Sequence, residues 1–204
     1  MTRLAALAFC TMCATLISPV SRVGATASLQ QQAPAPSWLD RPMSPWNAPG
    51  QPVPNAPRAD ESRADTMKRC DLKRLGSTAG ERALVDAGWI PYHNFDQQIM
   101  RDDLEIIAGM TGADGMCRPT GYNLFVFVAD RFAGTLSPVL MTSRLDSSSG
   151  AVRITAKDAL TADFARYSST DPLCCPSSHV TVRYTIDRSG PAASVVATQA
   201  RARP

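Results

Sequence analysis

The segment HVTVRYTID, residues 179–187, alternates without a break. Val180, Val182, Tyr184 and Ile186 fall on one side of an extended chain; His179, Thr181, Arg183, Thr185 and Asp187 fall on the other. Successive side chains of a strand point to opposite faces, so this pattern describes a strand with one buried and one wet face, and a helix of period 3.6 would scatter it. The same period recurs at Leu104, Ile106, Ala108 and Met110, at Val152 and Ile154, and at Leu160, Ala162 and Phe164. Leu124 to Val128 is continuously apolar, as expected of a central strand covered on both faces. Polar turns at 112–115, 130–131, 146–150 and 187–190 separate these runs, and connections that short join antiparallel neighbours.

Two helical segments precede the strands. In ESRADTMKRCDLKRL, residues 61–75, Glu61 and Asp65, then Asp65 and Arg69, stand four apart, Ala64, Met67 and Leu75 form a thin apolar stripe, and Gly76 supplies a stop. Thr78 with Glu81 three residues on reads as a capping box, Ala83, Leu84 and Ala87 as an apolar face, and Gly88 as the terminal cap. The expected fold is therefore α+β: an antiparallel meander of six or seven strands with two short N-terminal helices packed on one face.

Upstream of this domain the chain changes character. MTRLAALAFCTMCATLISPV carries Arg3, an apolar run to about Ile17 and then a small-residue end at Ala25–Ala27, the order of a secretory signal peptide over residues 1–27. Residues 28–60 hold half of the 16 prolines and no apolar periodicity, so they are expected to form an extended, disordered linker. Trp38 and Trp46 are its odd feature, and they are the candidate contacts for a partner. A single domain then occupies 61–198, and 199–204 are expected to be a disordered tail. Without Arg3 and Arg22 the charge falls to 19 basic against 18 acidic residues, which removes the argument for nucleic acid or an anionic membrane that a clustered basic excess would make.

Export sets the reading of the cysteines. Cys10 and Cys13 leave with the signal, and Cys70, Cys117, Cys174 and Cys175 remain, an even number in an oxidising compartment and hence two disulfides. Adjacent Cα atoms stand about 3.8 Å apart, below the roughly 4.4 Å of ordinary bridges, which disfavours a Cys174–Cys175 bond. In an extended chain the two sulfurs face apart. DPLCCPS, residues 171–177, is therefore expected to fasten Cys70 on one side and Cys117 on the other, in an order the sequence leaves open. Zinc and redox spacings of the CxxC type are absent among these four, and no metal or cofactor is expected.

The stretches GYNLFVFVADRFAGTLSP, residues 121–138, and ADFARYSSTDPLCCPSSHVTVRYTID, residues 162–187, resemble the LppP/LprE family of bacterial envelope lipoproteins. Cys117 before Pro119 and Gly121, the Gly134-Thr135 pair, Arg166-Tyr167 and the CCPS run before an alternating strand carry the likeness. The resemblance implies an exported, disulfide-bonded protein without an assigned biochemical role. Two departures stand out. Cys10 follows Phe9 and Cys13 follows Met12, so neither sits in a lipobox, and a soluble rather than lipid-anchored product is expected. Asp130-Arg131 stands where relatives often have Asp-Gly, which argues against a tight two-residue hairpin.

Catalytic groups are sparse. The histidines are His93, within reach of Asp96, and His179, preceded by Ser177 and Ser178; no GxSxG elbow is present. The expected function is accordingly a non-catalytic module of the periplasm or exterior that binds an envelope component or a protein partner, with no membrane span after signal removal and an oligomeric state that the sequence does not disclose. The competing readings are a small hydrolase or thiol enzyme built from Ser177, His179, Asp171 or the cysteines, and a secreted enzyme inhibitor.

Overall fold

The computed structural model describes residues 37–72, 76–92 and 99–203. The expected signal segment, the start of the Pro-rich stretch, His93 and Asp96 lie outside them.

Among the described residues nine strands form two antiparallel sheets rather than one meander of six or seven. Sheet A contains β1 (Ile90–Tyr92), β2 (Ile99–Arg101), β3 (Leu104–Ala113), β4 (Pro119–Val128) and β5 (Arg131–Thr135), in the order β1-β3-β4-β5 with β2 also paired to β3. Sheet B runs β6 (Ser149–Ala156), β7 (Ala159–Arg166), β8 (Ser178–Asp187) and β9 (Ser194–Arg203) in sequence order. The period-two residues do what their pattern requires: Ile106 and Met110 of β3, Val126 of β4, Phe164 of β7, and Val182 and Tyr184 of β8 meet in one buried cluster between the sheets. The continuous apolar run of β4 is explained by its second face, where Phe125 and Phe127 join Leu84, Trp89 and Ile107 in a separate buried cluster.

Helix α1 spans Arg63–Arg69 and α2 spans Ala79–Asp86. The Oγ of Ser62 accepts from the Asp65 N–H at 3.2 Å and caps α1, which stops short of the expected Leu75 because Asp71 takes a left-handed φ of 52°. In α2 the Thr78 hydroxyl accepts from the Glu81 N–H as the capping box requires, but the Glu81 carboxylate reaches one residue further back and accepts from the Ser77 N–H at 2.7 Å. The helices do not share a face. Leu84 of α2 belongs to the cluster outside sheet A, whereas Met67 of α1 and Leu72 after it pack against the inter-sheet cluster. Gly80 lets α2 come this close, since a Cβ there would stand 2.7 Å from Ile107 Cδ1.

The Pro-rich segment is the largest correction. From residue 37 it is a strap lying on the domain, with Leu39 buried in the inter-sheet core and Trp38 packed edge-on against Phe164 at 5.1 Å. Buried Asn47 reaches the edges of both sheets: its amide Nδ2 donates to Thr135 O of β5 at 3.0 Å and Val195 O of β9 at 2.9 Å, and its Oδ1 accepts from Thr135 N at 2.9 Å. Trp46 Nε1 donates to the same Thr135 carbonyl at 3.1 Å. Further along, Ala56 N donates to Ala87 O and Trp89 Nε1 to Pro54 O, seating the strap beside α2. Lack of periodicity reads as disorder when hydrogen bonds are sought within the segment; here its partners are the two sheets. Two further expectations change. Residues 199–203 are paired with β8 as the end of β9 rather than hanging free. A tight two-residue hairpin does join β4 to β5, but Ala129 (φ 47°) and Asp130 (φ 63°) occupy its corners and Arg131 is already in the strand, opposite Val128.

Asn47→Ala should lower unfolding stability by about 3 kcal/mol, because Thr135 N and Val195 O lose a buried partner that water cannot easily replace; a denaturant titration measures it. Ala129→Gly should raise stability by about 1 kcal/mol in the same experiment, since a left-handed backbone is costly for alanine and free for glycine.

Candidate functional site: a cleft beside the Cys70–Cys117 disulfide

A cleft of about 540 Å³ opens where the far ends of β3 and β4 meet the start of β6. Its floor is apolar and comes from alternating residues of sheet A, chiefly Met110, Tyr122 and Leu124, with Tyr92 and Leu72 beside them. The phenol rings of Tyr92 and Tyr122 meet edge-on at 6.1 Å. Burial raises the pKa of both, so they act as neutral hydrogen-bonding groups and not as phenolates. The Tyr122 hydroxyl accepts from the Ser149 backbone N–H at 2.8 Å and thereby ties sheet A to the start of β6 at the cleft wall.

The rim is polar. Ser143, Arg144, Ser148 and Ser149 line one side, and Cys117, Arg118 and exposed Met116 the other. The turn from Asp114 to Arg118 is rigid for a definite reason: the Asp114 carboxylate accepts from the backbone N–H groups of Met116 (2.8 Å) and Arg118 (3.0 Å) and from Arg118 Nε (2.6 Å). The Arg118 side chain, and then its backbone N–H, hold the Asp114 carboxyl down at about 2. Arg118 is thus matched by its own turn, while exposed Arg144, at a left-handed φ of 62°, brings its charge to the rim. Such a cleft can take an apolar group on its floor and an anionic or hydroxyl-bearing group at its mouth.

The mouth is also where the disulfide sits. Cys70, at the end of α1, is bonded to Cys117 across a Cα separation of 5.5 Å. Arg69 prepares the approach: its guanidinium donates to the carbonyls of Asp114 (2.6 Å) and Ala113 (2.9 Å) and also holds Glu61, so α1 is docked on the turn independently of the sulfurs. Hydrogen bonding from Arg69, then from Thr66, lowers the Glu61 pKa to about 2.

This pairing overturns the expected staple. Cys174 and Cys175 are bonded to each other, with Cα atoms 3.8 Å apart, in the exposed loop between β7 and β8. The expectation rested on an extended chain, but the Cys175 N–H donates to Pro172 O at 2.9 Å, so these residues lie in a turn where neighbouring side chains are not forced apart. The loop is fixed by Asp171, whose carboxylate accepts from the Ser168 N–H (2.9 Å), Ser168 Oγ (2.6 Å) and the Ser177 N–H (2.7 Å). Asp171 therefore faces its own loop. His179 stands on the outer face of β8, opposite Ala165 on one neighbour and Arg203 on the other. Asp171, Ser177 and His179 do not come together as a hydrolytic set. Trp38 and Trp46 stack edge-on with each other at 5.5 Å and against the sheets, so the two indoles form part of the strap's seat rather than a projecting arm.

No group of three or more potential metal ligands occurs among the described residues, and no helix among them is long and apolar enough to cross a membrane. The cleft was not legible in sequence, because Met110 and Leu124 read as ordinary buried strand residues and nothing local marks that Tyr92, Tyr122 and the serines of 143–149 converge beside them.

Tryptic mapping without reductant should yield peptide 70–73 linked to peptide 102–131 and an unlinked peptide 167–183 two hydrogens lighter than its dithiol form. A link from 167–183 to either other peptide would contradict the pairing. Loss of the Cys70–Cys117 bond in Cys70→Ser should cost about 4 kcal/mol from the loop it closes, read as a lower denaturation midpoint.

No curated protein and no solved structure shows a significant match to this chain. Residues 97–189, from the start of β2 through the end of β8, match the model of the LppP/LprE lipoprotein family, a lipoprotein-type envelope family of unknown function; the strap, Cys70 and β9 lie outside that stretch.

Proposed function

We propose that the protein is an exported, non-catalytic binding module of the cell envelope, working in the periplasm or outside the cell, and that its site is the cleft beside Cys70–Cys117. The observation that carries this reading is the cleft's composition. An apolar floor of Met110, Tyr122 and Leu124 lies beneath a rim of hydroxyls and Arg144. That combination suits an amphipathic envelope component, with its hydrocarbon or aromatic part on the floor and its polar end at the serines and Arg144. The floor rests on β3 and β4 and the mouth is fixed by the disulfide and by Asp114, so little ordering is required when a ligand enters. The family match over residues 97–189 supports placement in the envelope.

The anionic, apolar dye 1-anilinonaphthalene-8-sulfonate combines both requirements. It should bind the folded chain saturably at one site, with Ser143→Trp abolishing the signal by filling the mouth and Arg144→Glu weakening binding about tenfold. Unchanged circular dichroism would show that both variants are folded. Equal dye binding by wild type and Ser143→Trp would refute the assignment of the cleft.

A further inference from the structure

The outer face of sheet B carries a second feature, independent of the cleft. Sheet A has α2 and the strap on its outer side, but the strands of sheet B direct every second residue away from the core, and among the described residues no helix lies over them. Register brings four arginines onto this face from three strands. Arg153 of β6 is level with Thr161 of β7, which pairs with Arg183 of β8, which pairs with Gln199 of β9; one step along, Asp163, Thr181 and Arg201 form the next row, and Ala165, His179 and Arg203 the row after it. All four arginines are exposed, and a shallow depression of about 160 Å³ lies among Thr161, Thr181, Arg183, Gln199, Arg201 and Arg203.

The acidic groups on this face are fewer. Asp163 stands at the centre, bound to Thr181 and paired with Arg153 at 3.3 Å and Arg203 at 3.5 Å; Asp187 lies at the far end of β8, accepting from the Ser189 N–H at 2.9 Å. Four guanidiniums around one carboxylate leave a local positive charge that Asp163 does not neutralise. The arrangement is two-dimensional. Neighbouring strands lie about 4.8 Å apart and alternate residues about 6.7 Å along a strand, so the cations are spread in two directions over the sheet face instead of following one strand. Thr161 and Thr181 lie between them, and Val196, level with Thr185 at the end away from Arg203, is half-buried, so the arginine rows themselves carry polar and not large apolar neighbours.

We propose that this arginine face docks the protein peripherally on an anionic phospholipid surface. A two-dimensional array of guanidiniums suits a surface of lipid phosphates, with Arg183 and Arg201, which are not the partners of Asp163, able to engage phosphates with paired N–H donors. Docking is electrostatic, reversible and sensitive to salt.

The purified chain is to be tested by co-sedimentation with phosphatidylcholine vesicles and with vesicles that also contain phosphatidylglycerol. Wild type should sediment with the anionic vesicles alone and release as salt is raised. R183Q/R201Q should weaken the association about 25-fold, whereas R41Q/R131Q, which removes the same charge from exposed arginines elsewhere, should leave it within about twofold. Circular dichroism checks that both variants are folded. Equal losses in the two variants would reduce the effect to net charge and overturn the proposal, as would equal sedimentation with neutral vesicles or no sedimentation at all. Retention on heparin without vesicle binding would overturn it in favour of a soluble polyanion. None of these readouts depends on the cleft, so failure here would leave the dye-binding result standing, and the reverse also holds.

Discussion

The carboxamide of Asn47 is the contact on which the sandwich depends. A two-sheet fold leaves edge strands whose N–H and C=O groups have no ladder partner, and burying such groups unpaired costs more than most single contacts return. At the corner between β5 and β9 one side chain resolves this: it donates to Thr135 O and Val195 O and accepts from Thr135 N, behaving as one residue of an extra strand shared by two sheets. Gly134 makes room for it. At φ 140° and without a Cβ, which would lie 2.3 Å from Asn47 Cγ, it lets the amide reach the edge. Tyr184 strengthens the same corner by donating its hydroxyl from β8 to Leu136 O just past β5.

Charged side chains then secure the turns around this frame. Arg166 joins the strap to the loop before β6 by binding Asp40 through both terminal nitrogens and Asp146 through Nε. Arg188 does likewise with Asp103 of the β2–β3 turn and Asp158 of the β6–β7 turn. Exposed ion pairs contribute about 0–1 kcal/mol each, so their role is positional: a planar guanidinium bound from two sides fixes the relative placement of loops that share no backbone hydrogen bonds. The arginines on the outer face of sheet B are arranged differently. There the cations outnumber the carboxylate between them, which is the pattern of a surface built to meet negative charge elsewhere.

The two disulfides divide along the same line. Cys70–Cys117 closes a sequence separation of 47 and fastens α1 to a turn that Arg69 and Asp114 have already shaped, so it consolidates the cleft mouth. Cys174–Cys175 closes a separation of one and cannot cross-tie distant elements. Sheet B is consequently held to sheet A by its apolar face, by the strap and by the Tyr122–Ser149 and Tyr184–Leu136 hydrogen bonds, with no disulfide between the two sheets.

What could be read directly from the sequence was whatever depends on short-range periodicity. The inward sets of β3, β7 and β8, the double burial of β4, the start of α2 and the antiparallel pairing follow from side-chain alternation and local capping, which need no knowledge of distant residues. What only tertiary structure decided depends on partners far apart in the chain. The strap has no internal pattern because its hydrogen bonds go to β5 and β9, 88 and 148 residues away. The division into two sheets, the cysteine pairing and the end of β9 turn on which edges and turns meet. The cleft and the arginine face are the clearest cases: Arg153, Arg183, Arg201 and Arg203 are unremarkable single charges until strand register sets them side by side, since a pleated sheet makes neighbours of residues that the linear chain keeps apart.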